Sequence, residues 1–166
     1  LYAISESSRY GEGPLEFAES LARAVRAAEQ AQKRGGRISG VSSGFADIDS
    51  LLGGLQPSDL LILAGRPGMG KTALATNIAF NAARLHLIDT TDGAEVSRGA
   101  PVLFFSLEMA AQQLSARILS EQTEIEMFKI RSGRFAESEW ETFVLKMQEL
   151  STLPLYIDDS GGISIA

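Results

Sequence analysis

Hydrophobic positions along the chain change their period several times, and each change marks an element. From Pro14 to Arg34, apolar residues at Leu15, Ala18, Leu21, Ala22, Val25 and Ala28 recur at helical spacing. The pattern predicts a helix over 14–34. Proline suits a first helical position. Glu12, Glu16 and Glu19 lie near the positive end of its dipole, and Lys33 and Arg34 near the negative end. Gly35-Gly36 stops it. Residues 1–13 show no period and read as a linker. The apolar stripe has two readings: it packs on the chain's own core, or it docks on another subunit, with the glycine pair as a hinge.

Farther on, a short helix is predicted over Phe45–Leu52, ended by Gly53-Gly54. "SDLLILAG" (58–65) reads as a buried strand, followed by a glycine-rich turn and a helix from Gly70 to Leu85. "LIDTTDGAEVSRGAP" (87–101) reads as a polar loop and "VLFFS" (102–106) as a second buried strand. Helices are predicted over 110–121 and 138–150, and "LPLYIDD" (153–159) as a third strand. Apolar strands alternating with helices predict an α/β fold with a mostly parallel sheet flanked by helices.

Composition narrows the class. The chain has 166 residues, enough for one domain with a core, and 45% of them are hydrophobic, as in a folded protein. "LLILA" (60–64) is far too short to span a bilayer, and no signal-peptide pattern opens the chain. The absence of cysteine fits a reducing, cytoplasmic setting. Leu1 is not a methionine, so the chain is expected to be a fragment or a processed product. The net charge is −6. Residues 1–40 hold six basic and five acidic residues, and the rest hold nine and sixteen. No basic stripe suited to a phosphate backbone is present, which argues against nucleic-acid binding by an isolated monomer.

The glycine-rich turn carries the clearest chemistry. "GRPGMGKT" comprises Gly65, Arg66, Pro67, Gly68, Met69, Gly70, Lys71 and Thr72, and fits G-x-x-x-x-G-K-[ST]. A triphosphate tail needs many close donors. Backbone N–H groups supply them only where side chains do not obstruct the approach, which Gly65, Gly68 and Gly70 ensure. The following helix, opening at Lys71-Thr72-Ala73, turns its free amides and positive end toward the anion. Lys71 adds a full charge, and the Thr72 hydroxyl is suited to Mg2+. A chance match occurs in roughly one chain in a hundred of this size, and the strand-turn-helix context makes chance the weaker explanation.

Hydrolysis needs more than binding: a group that orients or deprotonates water, and a second acid at the metal. Glu108 ("VLFFSLEM") and Asp158-Asp159 ("LPLYIDD") both end apolar runs, where ligands of open parallel sheets bind. Glu108 is either the water-activating base or a solvated residue ahead of a helix. The aspartates either support a metal or start the turn before "SGG".

These segments resemble a known family. "GFADIDSLLGGLQPSDLLILAGRPGMGKT" is similar to the start of the motor core of RecA-like ATPases. "AGRPGMGKTALATNIA" followed by "FFSLEM" closely resembles the C-terminal motor of bacterial replicative helicases of the DnaB type. "LEFAESLARAVRAAEQAQKRGGRISGVSSG" resembles that family's linker helix and its approach to the motor. The resemblance implies a RecA-like P-loop core, C-terminally incomplete. It implies a linker segment over 1–36 whose helix docks on a neighbouring subunit, and the N-terminal part of the motor over 37–166. It implies ATP and Mg2+ as cofactors, a homohexameric ring around single-stranded DNA, and primase and a helicase loader as partners.

By the same resemblance, Gly65, Gly70, Lys71 and Thr72 belong to the phosphate loop and Glu108 activates water. The "YIDD" strand precedes the metal-supporting acidic strand of the family, so Asp158-Asp159 lose the metal role. The second acid, the DNA-contacting loops and the arginine finger are expected beyond residue 166, and a helical domain before the linker. The fragment alone is therefore expected to be inactive. The 87–101 segment is longer than usual in the family, and an extended surface loop is the simplest account. Two competing readings are another RecA-like ATPase, of the RadA-type or clock type, and a nucleotide-dependent assembly module without turnover.

The remaining features read as structural. His86, the one histidine, is expected at the surface or a helix end. Met109, Met127 and Met147 read as core filler, and Trp140 and Phe143 as core contacts. Arg131 and Arg134 read as solvated turn charges. Arg66 lies near the nucleotide by position, with no partner that the sequence identifies.

Overall fold

The structure, a computed structural model, describes residues 14–33, 38–93 and 97–161. The linker reading of 1–13, the Gly35-Gly36 stop and part of the 87–101 loop lie outside the described residues. Backbone contacts divide the chain into two units, Leu1–Arg37 and Ile38–Ala166.

The first unit contains helix α1, Phe17–Lys33. Glu19 in its first turn pairs with Arg23 one turn on, at 2.8 Å. Its apolar stripe is open: Leu21 is 53% and Val25 50% exposed.

The second unit runs in the order α2 (Ala46–Leu52), α3 (Lys71–Thr91), β1 (Val102–Phe105), α4 (Ala111–Thr123), α5 (Met127–Ser132), α6 (Glu137–Leu150) and β2 (Leu155–Asp158). β1 and β2 pair in parallel, with Val102 opposite Leu155 and Phe105 opposite Asp158. A parallel pair requires a crossover, and α4, α5 and α6 supply it. Helix α3 packs on both strands and on α4, and α4 packs on α6. The core lies at that junction: Ala79, Phe80, Ala82 and Ala83 of α3, Leu114 and Ile118 of α4, and Ile125 are buried. The alanines let α3 come close to its neighbours, while Phe80 and Leu114 fill the space between.

The approach to α3 is fixed by a buried carboxylate. Asp49 of α2 accepts from the Ser42 hydroxyl at 2.6 Å and the Ser43 amide at 2.7 Å. Burial raises its pKa, but hydrogen bonds from Ser42, Ser43 and Gly44 outweigh that and leave it below the usual range. Asn81 of α3 donates to the Ser43 carbonyl, tying the segment before α2 to α3. Gly53, at φ 71°, ends α2 in the left-handed region that its lack of a Cβ permits.

Several expectations need correction. "SDLLILAG" forms no strand: residues 59–66 carry no strand assignment, and Leu60 and Ile62 are more than 80% exposed. A strand exists through its neighbour's hydrogen bonds, and among the described residues β1 and β2 pair only with each other. The 102–106 strand is also not buried on both faces. Leu103, Phe105 and Tyr156 share the open face, each more than half exposed, whereas the other face meets α3. Finally, the polar loop begins later than predicted, because α3 continues through residues 87–91. Thr90 and Thr91 satisfy their hydroxyls on the His86 and Leu87 carbonyls within the helix.

Asp89, near the end of α3, accepts from the Arg98 amide at 2.6 Å and from Arg98 Nη2 at 2.8 Å. That pairing returns the chain to α3 before β1. His86 lies inside α3, not at its end, and its Nδ1 is buried without a hydrogen-bond partner among the described residues. The Phe135, Trp140 and Phe143 rings cluster with centroids 5.2–5.8 Å apart, but Trp140 keeps 52% exposure and no residue of α6 is buried, so Trp140 and Phe143 are not the core contacts expected. Met147 is 45% exposed, so it is not core filler. Arg134 lies 5.9 Å from the centre of the Phe128 ring.

Candidate phosphate-binding site

Residues 65–70 bend into a loop directly before α3. The chain turns at Gly68 (φ 77°) and Gly70 (φ 83°), two left-handed positions that a side chain would strain. Gly70 is the residue that caps α3. The Leu74 amide donates to the Gly70 carbonyl at 2.9 Å, closing the first helical turn. The amides of Lys71, Thr72 and Ala73 precede that bond and are the orphan donors of a helix start. Among the described residues, the amides of Gly68 and Gly70 make no backbone hydrogen bond; the Met69 amide donates to the Arg66 carbonyl at 3.3 Å.

A cleft of about 460 Å³ opens over this loop, lined by Gly65, Arg66, Met69, Gly70, Lys71 and Leu74 among others. Lys71 Nζ donates to the carbonyls of Gly65 and Arg66, at 2.9 and 3.1 Å. The ammonium is thus held over the bend by two neutral acceptors. Arg66, Pro67 and Met69 are exposed, and Lys71 and Thr72 are half-buried. The Thr72 carbonyl accepts from the Thr76 hydroxyl, while the Thr72 hydroxyl makes no hydrogen bond among the described residues. The loop therefore offers free N–H groups and one ammonium at the open space, and the next residue, Thr72, carries a free hydroxyl. That donor set suits a polyphosphate with a hard cation. Among the described residues no cluster of three His, Cys, Asp or Glu could hold a metal by itself. A cation here would take the Thr72 hydroxyl together with phosphate and water oxygens.

Glu108 stands in the turn after β1. Its carboxylate is exposed and unpaired among the described residues, and it is not among the residues lining the loop cleft. The turn itself is well held. The Ser106 amide donates to the Asp158 carbonyl at 2.8 Å, and Ser106 Oγ bridges both the amide and the carbonyl of Met109. The two aspartates separate in role. Asp158 accepts from the Ser160 amide at 2.9 Å, the turn-starting reading of the doublet, and Ser160 holds its pKa below the ordinary range. Asp159 instead reaches 48 residues back and accepts from the Ala111 amide at 2.8 Å. Sequence reasoning missed Ser106. Its signal was a serine three residues before Met109, the spacing of a local side-chain bridge to the backbone.

Comparison with known proteins shows the family. A family described as DnaB-like helicase C terminal domain matches residues 40–166. A replicative DNA helicase DnaB from a Synechocystis species is 42% identical over 126 residues, which are 76% of this chain and 13% of that protein. The replicative DNA helicase DnaB of Rickettsia felis is 36% identical across 100% of this chain and 33% of its own length. Among solved structures, one described as the ATPase domain of G40P superposes with a TM-score of 0.72 at 29% identity, covering 93% of this chain and 49% of that one. A DnaB-like replicative helicase, studied with its interactions with primase, gives a TM-score of 0.67 at 28% identity over 98% of this chain and 36% of that one. The chain thus spans a third or less of these two curated relatives. Its two-stranded parallel sheet and helices are part of a RecA-like α/β fold.

Proposed function

Because this chain belongs to the family described as the DnaB-like helicase C terminal domain, we propose that it is the nucleotide-binding part of an ATP-driven replicative DNA helicase motor. The observation that carries the reading is the bend at 65–70 against the start of α3, with the Gly68 and Gly70 amides free of backbone partners and Gly70 and Lys71 lining an open cleft. In the proposed reaction water attacks the γ-phosphate of ATP in line. Gly68, Gly70 and the first amides of α3 bind the phosphate oxygens. Lys71 exchanges its carbonyl partners for phosphate and offsets charge that develops on the transferring group. Thr72 would hold Mg2+, which neutralises phosphate charge when bound. Glu108 orients and deprotonates the water.

The ring-shaped homohexamer, translocation on single-stranded DNA, and primase and loader partners belong to the same proposal, as does a cytoplasmic setting. So does the division into a linker segment over 1–36 and a motor part over 37–166. The open Leu21 and Val25 stripe of α1 supports docking of that helix on a neighbouring subunit. Among the described residues no helix is long and apolar enough to cross a membrane. One observation favours a second reading, an assembly module that binds ATP without turnover: Glu108 does not line the loop cleft. Phosphate release by the complete protein decides between them. A motor shows turnover stimulated by single-stranded DNA, whereas an assembly module binds nucleotide and releases no phosphate. The 166-residue chain alone is expected to show little turnover, and robust turnover by it overturns the incomplete-motor reading.

A further inference from the structure

We infer that Asp159 is a positioning residue for Glu108, acting through the start of α4. This rests on the reading of Glu108 as the water-activating base.

Glu108 sits in a short turn between two anchors. At one end Ser106 is buried, its amide is bonded to the Asp158 carbonyl, and its hydroxyl bridges both backbone groups of Met109. At the other end α4 starts at Ala111 behind Ala110, whose methyl side chain can cap nothing. The missing cap comes from across the sheet: the Asp159 carboxylate accepts from the Ala111 amide at 2.8 Å. Both anchors therefore lead to consecutive residues, 158 and 159, at the end of β2. The strand beside β1 sets where the turn begins and where it stops. Glu108 itself is exposed and has no bond of its own among the described residues, so its backbone is the only thing that aims it.

A carboxylate that caps a helix needs an acceptor oxygen; a metal ligand needs the charge. Asparagine keeps the first and loses the second. The test uses the complete protein with single-stranded DNA, comparing Asp159→Ala, Asp159→Asn and Glu108→Gln for kcat, KM for ATP and half-saturating Mg2+. Asp159→Ala is expected to lower kcat about fivefold with KM within twofold, because the phosphate loop lies on another element. Asp159→Asn is expected to restore kcat to within twofold, with half-saturating Mg2+ unchanged in both. Wild-type kcat in Asp159→Ala overturns the inference. So does an asparagine variant as impaired as alanine, or a shifted Mg2+ requirement. If Asp159→Ala does not fold, Asp159→Ser, too short to reach Ala111, is judged by the same criteria; failure of both to fold assigns Asp159 to stability alone and overturns the inference. Full turnover in Glu108→Gln instead removes the underlying reading, so the two failures are distinct.

Discussion

Lys71 reaches back over the bend that precedes it, and its Nζ donates to the Gly65 carbonyl at 2.9 Å. The contact places a cation over the donors of the loop before any ligand arrives. Neutral carbonyls are weaker partners than phosphate oxygens, so the ammonium transfers readily to an anion. Lys71→Ala in the complete protein is therefore expected to abolish ATP binding or turnover. Titration with a fluorescent ATP analogue and a phosphate-release assay check this. Unchanged activity removes the phosphate-loop assignment.

Glu108→Gln separates binding from chemistry. The substitution keeps size and hydrogen bonding but cannot accept a proton. Glu108 is not a lining residue of the loop cleft, so ATP affinity is expected to stay within about twofold. Turnover is expected to fall by about a hundredfold or more, the range for losing a positioned general base. A variant that hydrolyses ATP at the wild-type rate rules out the role.

The parts of this molecule that were legible in the sequence are those set by local chemistry. The bend at 65–70 is legible because only glycine relieves its backbone, and α2 because Gly53-Gly54 stops it. Residues 60–64 show where local reasoning stops. Their apolar run has strand character, but pairing is a property of two segments, and no described neighbour supplies the second. Helix α5, six residues long, is too short for a period to register. The last turn of α3 reads as loop in the sequence because "IDTTD" is polar. Its side chains are satisfied inside the fold, above all by Arg98, which is distant in the pattern though near in space. The Asp159 bond to Ala111 spans 48 residues, beyond any spacing rule.

The Asp89–Arg98 pair gives a pH dependence of definite sign. The Arg98 side chain first, then its amide, hold the Asp89 carboxyl below its ordinary value of about 3.8. A carboxyl with a depressed pKa in the folded state stabilises the fold fully above the ordinary value. That contribution is lost as pH falls through the folded value, because the unfolded chain binds its proton first. Asp89→Asn is expected to lower the melting temperature near neutral pH. The gap to the unsubstituted protein should close as pH drops below about 4. Arg98 is largely exposed, so added salt should narrow the gap as well. Thermal unfolding across pH and salt measures both, and a gap that persists in acid excludes the ion pair as its origin.

Gly99 and Gly68 should fail in different ways when given a methyl group. At Gly99 a Cβ would stand 2.1 Å from the His86 amide nitrogen and 2.3 Å from the Ala82 carbonyl oxygen, both backbone atoms of α3. Neither can move without distorting the helix, so the loop must lift instead. Lifting breaks the bond from the Ala100 amide to the Ala82 carbonyl. Overpacking of this kind costs about 1–3 kcal/mol. For a chain of this size that is a drop in melting temperature of roughly 2–4 °C per kcal/mol. At Gly68 nothing lies within 4 Å, but its φ of 77° is left-handed, where a Cβ costs about 1–2 kcal/mol. That strain falls on an exposed loop, which relaxes by changing shape while the core stays intact. Gly99→Ala should therefore melt earlier with ATP affinity nearly unchanged. Gly68→Ala should hold its melting temperature within about 2 °C and bind ATP at least tenfold more weakly, since the relaxed bend no longer aims its amides. Calorimetry and nucleotide titration on the two variants check the pair, and Gly68→Ala with full affinity would show that the bend is not the anion cradle.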